Sequence, residues 1–137
     1  MKNHFKLIIV GLTFILLVAA FSACGSRTVI APEYIKLTPQ EAQDLLAEHV
    51  LILDVRTRDE FEQYYIANAV HLPVDDIKDF AEHVLTDKNQ VIFVYCRAGN
   101  RSRTAAMALI DIGYTCVYDI GGIYDWLGEL SFTIGGG

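Results

Sequence analysis

The segment Cys96-Arg97-Ala98-Gly99-Asn100-Arg101-Ser102 carries the residue types best suited to chemistry in this chain. It follows an apolar run, Val91-Ile92-Phe93-Val94-Tyr95, that reads as a strand. It leads into a stretch from about Arg101 to Ile112 that reads as a helix capped by Gly113. A cysteine at such a junction is flanked by backbone N–H groups of a tight loop and by the positive end of a helix. Both favour thiolate over thiol, below the ~8.5 of an unperturbed cysteine. Gly99 permits a close backbone approach that a Cβ would forbid. Arg97 and Arg101 add positive charge to a chain whose formal net charge is −6. The plainer alternative, a buried cysteine before an ordinary helix start, explains neither the arginines nor the glycine.

The rest of the chain supplies elements to position this loop. Tyr34–Leu37 reads as a short strand, and Thr38-Pro39-Gln40-Glu41 as a capping box opening a helix that runs to about His49. Ala42, Leu45 and Leu46 form that helix's apolar face. Val50–Val55 reads as a buried parallel strand ending near Asp54. Arg58–Tyr65 follows as a short helix, then Ala69–Leu72 as a third strand stopped by Pro73. Asp75 or Asp76 caps a helix with Ile77, Phe80, Ala81 and Val84 on its inner face. Thr115–Ile120 is the fifth strand, after which Gly121-Gly122 turns into a segment holding Tyr124, Trp126 and Leu127, read as cover for one end of the sheet. Strands alternating with helices predict an α/β fold: a five-stranded, mainly parallel sheet with helices on both faces. Its active edge is the one at the carboxyl ends of the strands. Cys96 belongs there and Cys116 at the opposite edge, so no disulfide is expected between them.

The first residues read differently. Lys2 and Lys6 flank a positive start, and Leu7–Phe21 is an apolar run of fifteen residues, short of the ~20 a membrane span requires. Residues 1–23 therefore read as an export signal. Phe21-Ser22-Ala23-Cys24 resembles the bacterial lipobox, which implies cleavage before Cys24 and lipidation of that cysteine. The competing reading is an uncleaved N-terminal anchor. Both predict an extracytoplasmic, membrane-anchored protein. Residues 24–33 read as a tether, 34–130 as the domain and 131–137 as a flexible tail. Loss of Lys2 and Lys6 leaves a net charge of −8 on the 114 remaining residues. An acidic surface of that kind excludes nucleic acid as a partner.

At Cys96–Arg101 the chain resembles the rhodanese active-site loop, Cys-Arg-x-Gly-x-Arg or Thr. Leu53-Asp54-Val55-Arg56, Glu60-Phe61 and Ala69-Val70-His71-Leu72-Pro73 resemble the family's upstream motif, and Gly113-Tyr114-Thr115 with Gly121-Gly122-Ile123-Tyr124-Asp125-Trp126 its closing motif. The resemblance covers about residues 34–127. Tyr64-Tyr65-Ile66-Ala67-Asn68-Ala69 departs from the usual Gly-His-Ile-Pro-Gly-Ala. The resemblance implies a rhodanese-like fold and a sulfurtransferase in which Cys96 carries sulfur from a small donor such as thiosulfate to cyanide or a thiol. It implies that the N–H groups from Arg97 to Ser102 hold the persulfide, that Arg97 attracts anionic donors and that Arg101 braces the loop. Asp54 and Arg56 are expected to pair with each other or with Arg101. His71 is read as structural, since this chemistry needs no general base. No cofactor is implied, and no Cys or His pair has metal-ligand spacing. Two other readings compete. One is a cysteine phosphatase or arsenate reductase, although Ser102 stands where the phosphatase pattern places its arginine. The other is a non-catalytic module of the same fold.

Overall fold

The computed structural model describes residues 34–132. The leader (1–23) and the whole tether (24–33), Cys24 included, lie outside the described residues, as do residues 133–137. Among the described residues no helix is long and apolar enough to cross a membrane.

The elements in chain order are β1 (Ile35–Lys36), α1 (Pro39–Leu45), β2 (Leu51–Asp54), α2 (Arg58–Gln63), β3 (Tyr65–Ile66), β4 (Val70–His71), a 3-10 turn (Val74–Asp76), α3 (Ile77–Val84), β5 (Ile92–Cys96), α4 (Asn100–Asp111), β6 (Val117–Gly122), a second 3-10 turn (Ile123–Asp125) and β7 (Leu130–Ser131). Five strands form one sheet in the order β1-β6-β5-β2-β4, with every pairing parallel. The central strand is β5, buried at all five positions. Alternation along it divides the core between the two faces of the sheet. Val94 and Cys96 belong to a cluster with Ile77 and Ala81 of α3 and Ala105, Ala106 and Leu109 of α4. Phe93 and Tyr95 belong to a second cluster with Ala42 of α1, Ile66 of β3 and Leu130 of β7.

The second face is thus covered by one short helix and by a two-stranded antiparallel sheet, β3 with β7. Sequence periodicity did not indicate that ribbon. The helix expected through Tyr65 stops at Gln63, and residues from Tyr64 onward are extended. Their backbone groups have partners elsewhere: the Tyr64 carbonyl accepts from Arg56 Nη2 at 2.6 Å, and the Ile66 N–H donates to the Tyr95 hydroxyl at 3.1 Å. Ser131, expected in a flexible tail, pairs with Tyr65. At the turn between β3 and β4, Asn68 adopts φ 64°. Asn is among the residues that best tolerate the left-handed region.

The expected capping box forms at Thr38–Glu41, and a second one, not anticipated, forms at Thr57–Glu60. α1 ends at Leu45, four residues earlier than expected, leaving Leu45 and Leu46 exposed. On α3 only Ile77 and Ala81 are buried; Phe80 and Val84 are exposed. α4 closes as expected, with Gly113 at φ 101° and its N–H donating to the Ile110 carbonyl. The fifth expected strand is shifted, because β6 runs through Gly121 and Gly122 instead of turning there. The register shifts between Val94 and Tyr95, with Ile120 of β6 the extra residue, and this sets Tyr95 opposite Gly121 and Cys96 opposite Gly122. The buried Asp119 carboxylate fixes this irregularity, accepting the Gly121 N–H at 2.9 Å and the Tyr34 hydroxyl. Burial, followed by that carboxylate, pushes the Tyr34 pKa up to about 12.

Candidate active site at the Cys96 loop

Cys96 is the last residue of the central strand and only 1% exposed. Arg97, Ala98 and Gly99 then reverse the chain, and α4 begins at Asn100. Gly99 caps the helix at φ 95°, the left-handed conformation that glycine adopts without strain. Its N–H donates to the Cys96 sulfur at 3.1 Å. Burial alone pushes the thiol pKa up. The N–H groups of Ser102, Ala98 and Gly99 outweigh it, so the net shift is downward, toward thiolate. The Ser102 hydroxyl is within reach of the sulfur and also of the Gly99 carbonyl, to which it donates at 3.0 Å.

The loop is held from two sides, and a third group fixes the strand beside it. From β6, Gly122 lies so close that a Cβ there would stand 2.5 Å from the Arg97 carbonyl oxygen and 2.9 Å from Ala98 Cα. Both are backbone atoms and cannot swing aside. Gly122→Ala is therefore expected to displace the loop and cut turnover at Cys96 by about tenfold or more, given the sensitivity of catalysis to ~1 Å displacements. Kinetics with a melting curve would test it; full activity in a folded Gly122→Ala variant contradicts the close packing.

From α2, Glu60 grips Arg101 with both oxygens, at 2.6 Å to Nη1 and 2.8 Å to Nη2. The same carboxylate completes the Thr57 capping box, accepting the Thr57 N–H at 3.0 Å. The Arg101 guanidinium is the main cause holding the Glu60 pKa down, at about 2. Arg101 thus braces the loop, and its partner is Glu60 rather than Asp54. A depressed carboxylate pKa adds stability above the ordinary ~4.5 that is lost as pH falls toward 2. Glu60→Gln is expected to cost ~1–2 kcal/mol near neutral pH, after allowance for partial exposure. That difference should close between about pH 4.5 and pH 2. Urea melts of both proteins across that range check the sign.

From β2, Asp54 and Arg56 form a buried pair, 0% and 2% exposed. Arg56 Nη2 lies 2.6 Å from Asp54 Oδ2, and Nε is 3.0 Å from each oxygen. The Arg56 backbone N–H donates to Oδ1 at 2.9 Å, and the Tyr95 hydroxyl to Oδ2 at 2.5 Å. Burial, then the neighbouring carboxylate, raises the Tyr95 pKa. Neither Asp54 nor Arg56 hydrogen-bonds Cys96. They fix the end of β2 beside β5 and anchor Tyr64 through its carbonyl. His71 is structural: Nε2 contacts the Arg56 carbonyl at 2.9 Å, and the ring stacks on Phe61 with centroids 4.5 Å apart.

Arg97 is exposed, and its Nε donates to the Tyr124 hydroxyl at 2.6 Å. Tyr124 and Leu127, expected to cover the sheet end, are 59% and 60% exposed; only Trp126 of that group packs against the core. The site residues that sequence reasoning missed are Glu60, Tyr95, Gly122 and Tyr124. The Thr57 capping box marked Glu60, and Gly122 stands in a quoted motif, but only strand register shows what each touches. Cys116 lies at the other end of the sheet, its carbonyl bonded to the Ile92 N–H. Four residues of β5 at ~3.3 Å each separate it from Cys96, and both thiols are free. Among the described residues no cluster of three or more His, Cys, Asp or Glu could hold a metal ion.

A model of the rhodanese-like domain matches residues 38–129. The chain is 35% identical over 79 residues to the thiosulfate sulfurtransferase PspE of Escherichia coli (strain K12), covering 58% of this chain and 74% of that protein. It is 35% identical over 95 residues to the thiosulfate sulfurtransferase GlpE of Coxiella burnetii (strain RSA 331 / Henzerling II), covering 68% and 87%. Among solved structures, a rhodanese with anions from E. coli superposes with a TM-score of 0.58 at 30% identity, over 61% of this chain and 98% of that one. A rhodanese-like domain protein from Staphylococcus aureus gives 0.60 at 30%, over 72% and 97%. The cysteine-loop-helix geometry and these likenesses agree, and the chain belongs to the rhodanese-like domain family.

Proposed function

We propose that this protein is a sulfurtransferase that carries a sulfane sulfur on Cys96. The carrying observation is the buried sulfur at a helix start, ringed by the N–H groups of Ala98, Gly99 and Ser102 and shifted toward thiolate. The thiolate attacks the outer sulfur of thiosulfate; the S–S bond of the donor breaks, and sulfite leaves with the bonding pair. The product, a Cys96 persulfide, carries its negative charge on the terminal sulfur. N–H groups converging on the loop stabilise that anion as they would any anion at a helix N-terminus. Cyanide, or a thiolate in its place, then attacks the terminal sulfur. Thiocyanate or a new persulfide departs, and the Cys96 thiolate is restored.

The names of the relatives support thiosulfate as donor. The phosphatase reading is weaker, because both Nη atoms of Arg101 are committed to Glu60 and Ser102 is buried. Thiocyanate formation from thiosulfate and cyanide, run beside hydrolysis of an aryl phosphate, tests the choice. Thiocyanate alone supports the proposal; aryl phosphate hydrolysis alone overturns it. A folded protein active in neither assay fits the non-catalytic module.

For the leader, we propose that Cys24 becomes the lipidated first residue, holding the domain on the outer side of a membrane. A single acyl chain binds only marginally, whereas several anchor stably. A fatty-acid analogue is expected to label the wild type and not Cys24→Ala. Unlabelled wild type that retains Met1–Ala23 identifies the uncleaved anchor instead.

A further inference from the structure

Arg97 is the cation nearest in sequence to Cys96, and its placement is unusual for an exposed side chain. Among the described residues it has no carboxylate partner, unlike Arg56, Arg58 and Arg101. Its one side-chain bond is the 2.6 Å donation from Nε to the Tyr124 hydroxyl. The guanidinium carbon is 5.5 Å from the Tyr124 ring centroid. Tyr124 therefore meets the cation through both its hydroxyl and its ring. The bond uses Nε and leaves both Nη groups for a ligand.

Tyr124 is itself oriented. Because its oxygen accepts from Arg97, its own proton is available to a further acceptor, and Tyr64 lines a recess with it; burial, then Tyr124, raises the Tyr64 pKa. Tyr64 is fixed in turn by the Arg56 guanidinium, which bonds its carbonyl and lies 5.3 Å from its ring centroid. The buried Asp54–Arg56 pair thus fixes Tyr64 on one wall of the recess, and Tyr124 holds Arg97 on the same recess. Arg56, Glu60, Gln63, Tyr64, Arg97 and Tyr124 surround this recess of about 170 Å³. That is ample room for a small anion. At 59% exposure, Tyr124 contributes little to the core, so packing does not account for this position.

We infer that Tyr124 is a positioning residue: it holds Arg97 beside the Cys96 loop with both Nη groups free, so that the site selects small, doubly charged sulfur donors over singly charged ones. The inference rests on the sulfurtransferase reading and adds a residue and a charge preference to it. An untethered arginine samples many rotamers, and binding a donor must then freeze them. A tethered one has lost that freedom before the donor arrives.

The test is single-turnover loading of Cys96, followed by intact mass, with thiosulfate (two charges) and the methanethiosulfonate anion (one charge) at low ionic strength. Tyr124→Phe is expected to raise the half-saturating thiosulfate concentration about three- to tenfold, the scale of one hydrogen bond. The limiting rate should change less, and the methanethiosulfonate response should shift under twofold. In an Arg97→Ala background the same substitution should add nothing, because the two residues act as one unit. A melting temperature within a few degrees of wild type excludes a folding effect. Equal losses with both donors, an unchanged thiosulfate response, or a full additional loss in the Arg97→Ala background each overturn the inference while the sulfurtransferase reading stands. Wild type that loads from neither donor overturns both.

Discussion

Cys96→Ser is expected to lower sulfur transfer by ~10³-fold or more, leaving a folded protein that takes up no sulfur. The Gly99 N–H can still donate to a serine oxygen in place of the sulfur it meets at 3.1 Å. Strand pairing of residue 96 with Gly122 uses backbone only and is retained. What is lost is the nucleophile. The loop lowers a thiol pKa toward neutrality but cannot bring a hydroxyl into that range, and an oxygen at this position forms no persulfide. Residual loading in the variant would move the sulfur-carrying role elsewhere, with Cys116 the first residue to examine.

The second large effect is on stability. Arg56→Ala is expected to destabilise the domain by ~3–5 kcal/mol, because it strands the Asp54 carboxylate at 0% exposure. Two compensating donors remain, the Tyr95 hydroxyl and the backbone N–H of residue 56. For a domain of about 100 residues that loss corresponds to a drop of roughly 15–30 °C in melting temperature. Arg56→Lys should lose much of the same stability, since an ammonium cannot reproduce a fork that meets both carboxylate oxygens and the Tyr64 carbonyl. A double variant carrying apolar residues at 54 and 56 should recover part of the loss, because the buried charge is then gone. Thermal melts of the three variants test this. A stable but inactive Arg56→Ala would contradict the structural role and place Arg56 against the substrate.

The parts of this molecule that could be read from the sequence are those governed by local chemistry. The capping boxes at Thr38 and Thr57, the glycine closing α4 and the uniformly apolar β5 are written within a few residues of where they act. So is the Cys96 loop, since a strand, a cysteine, a glycine and a helix start are consecutive. The parts that could not be read depend on register between distant segments. That β6 continues through Gly121-Gly122, where two glycines suggest a turn, follows from a bulge opposite Tyr95 and from Asp119, both set by tertiary packing. The β3–β7 ribbon joins residues some 65 positions apart through two pairs only, too short for an alternation signal. Tyr124 and Leu127 resembled core because aromatic and aliphatic residues usually are; their exposure became visible only once Arg97 and the loop were placed around them.

The charge pattern of the site is also a product of the fold. In an acidic chain, Arg56, Arg97 and Arg101 lie near the carboxyl edge of the sheet, and of these three only Arg97 lacks a carboxylate partner among the described residues. Two of the three arginines are spent on rigidity. One buttresses β2 from within, and the other ties α4 to α2. Preorganised backbone donors around a buried sulfur need such bracing, since they act without reorganising at the moment charge arrives.

The central claim is that Cys96 accepts sulfur, and intact-mass measurement after exposure to thiosulfate tests it most directly. The wild-type domain should gain the mass of one sulfur atom and lose it again on addition of cyanide, while Cys96→Ser gains none. No gain from thiosulfate or any other sulfane donor, or a gain that persists in Cys96→Ser, would contradict it.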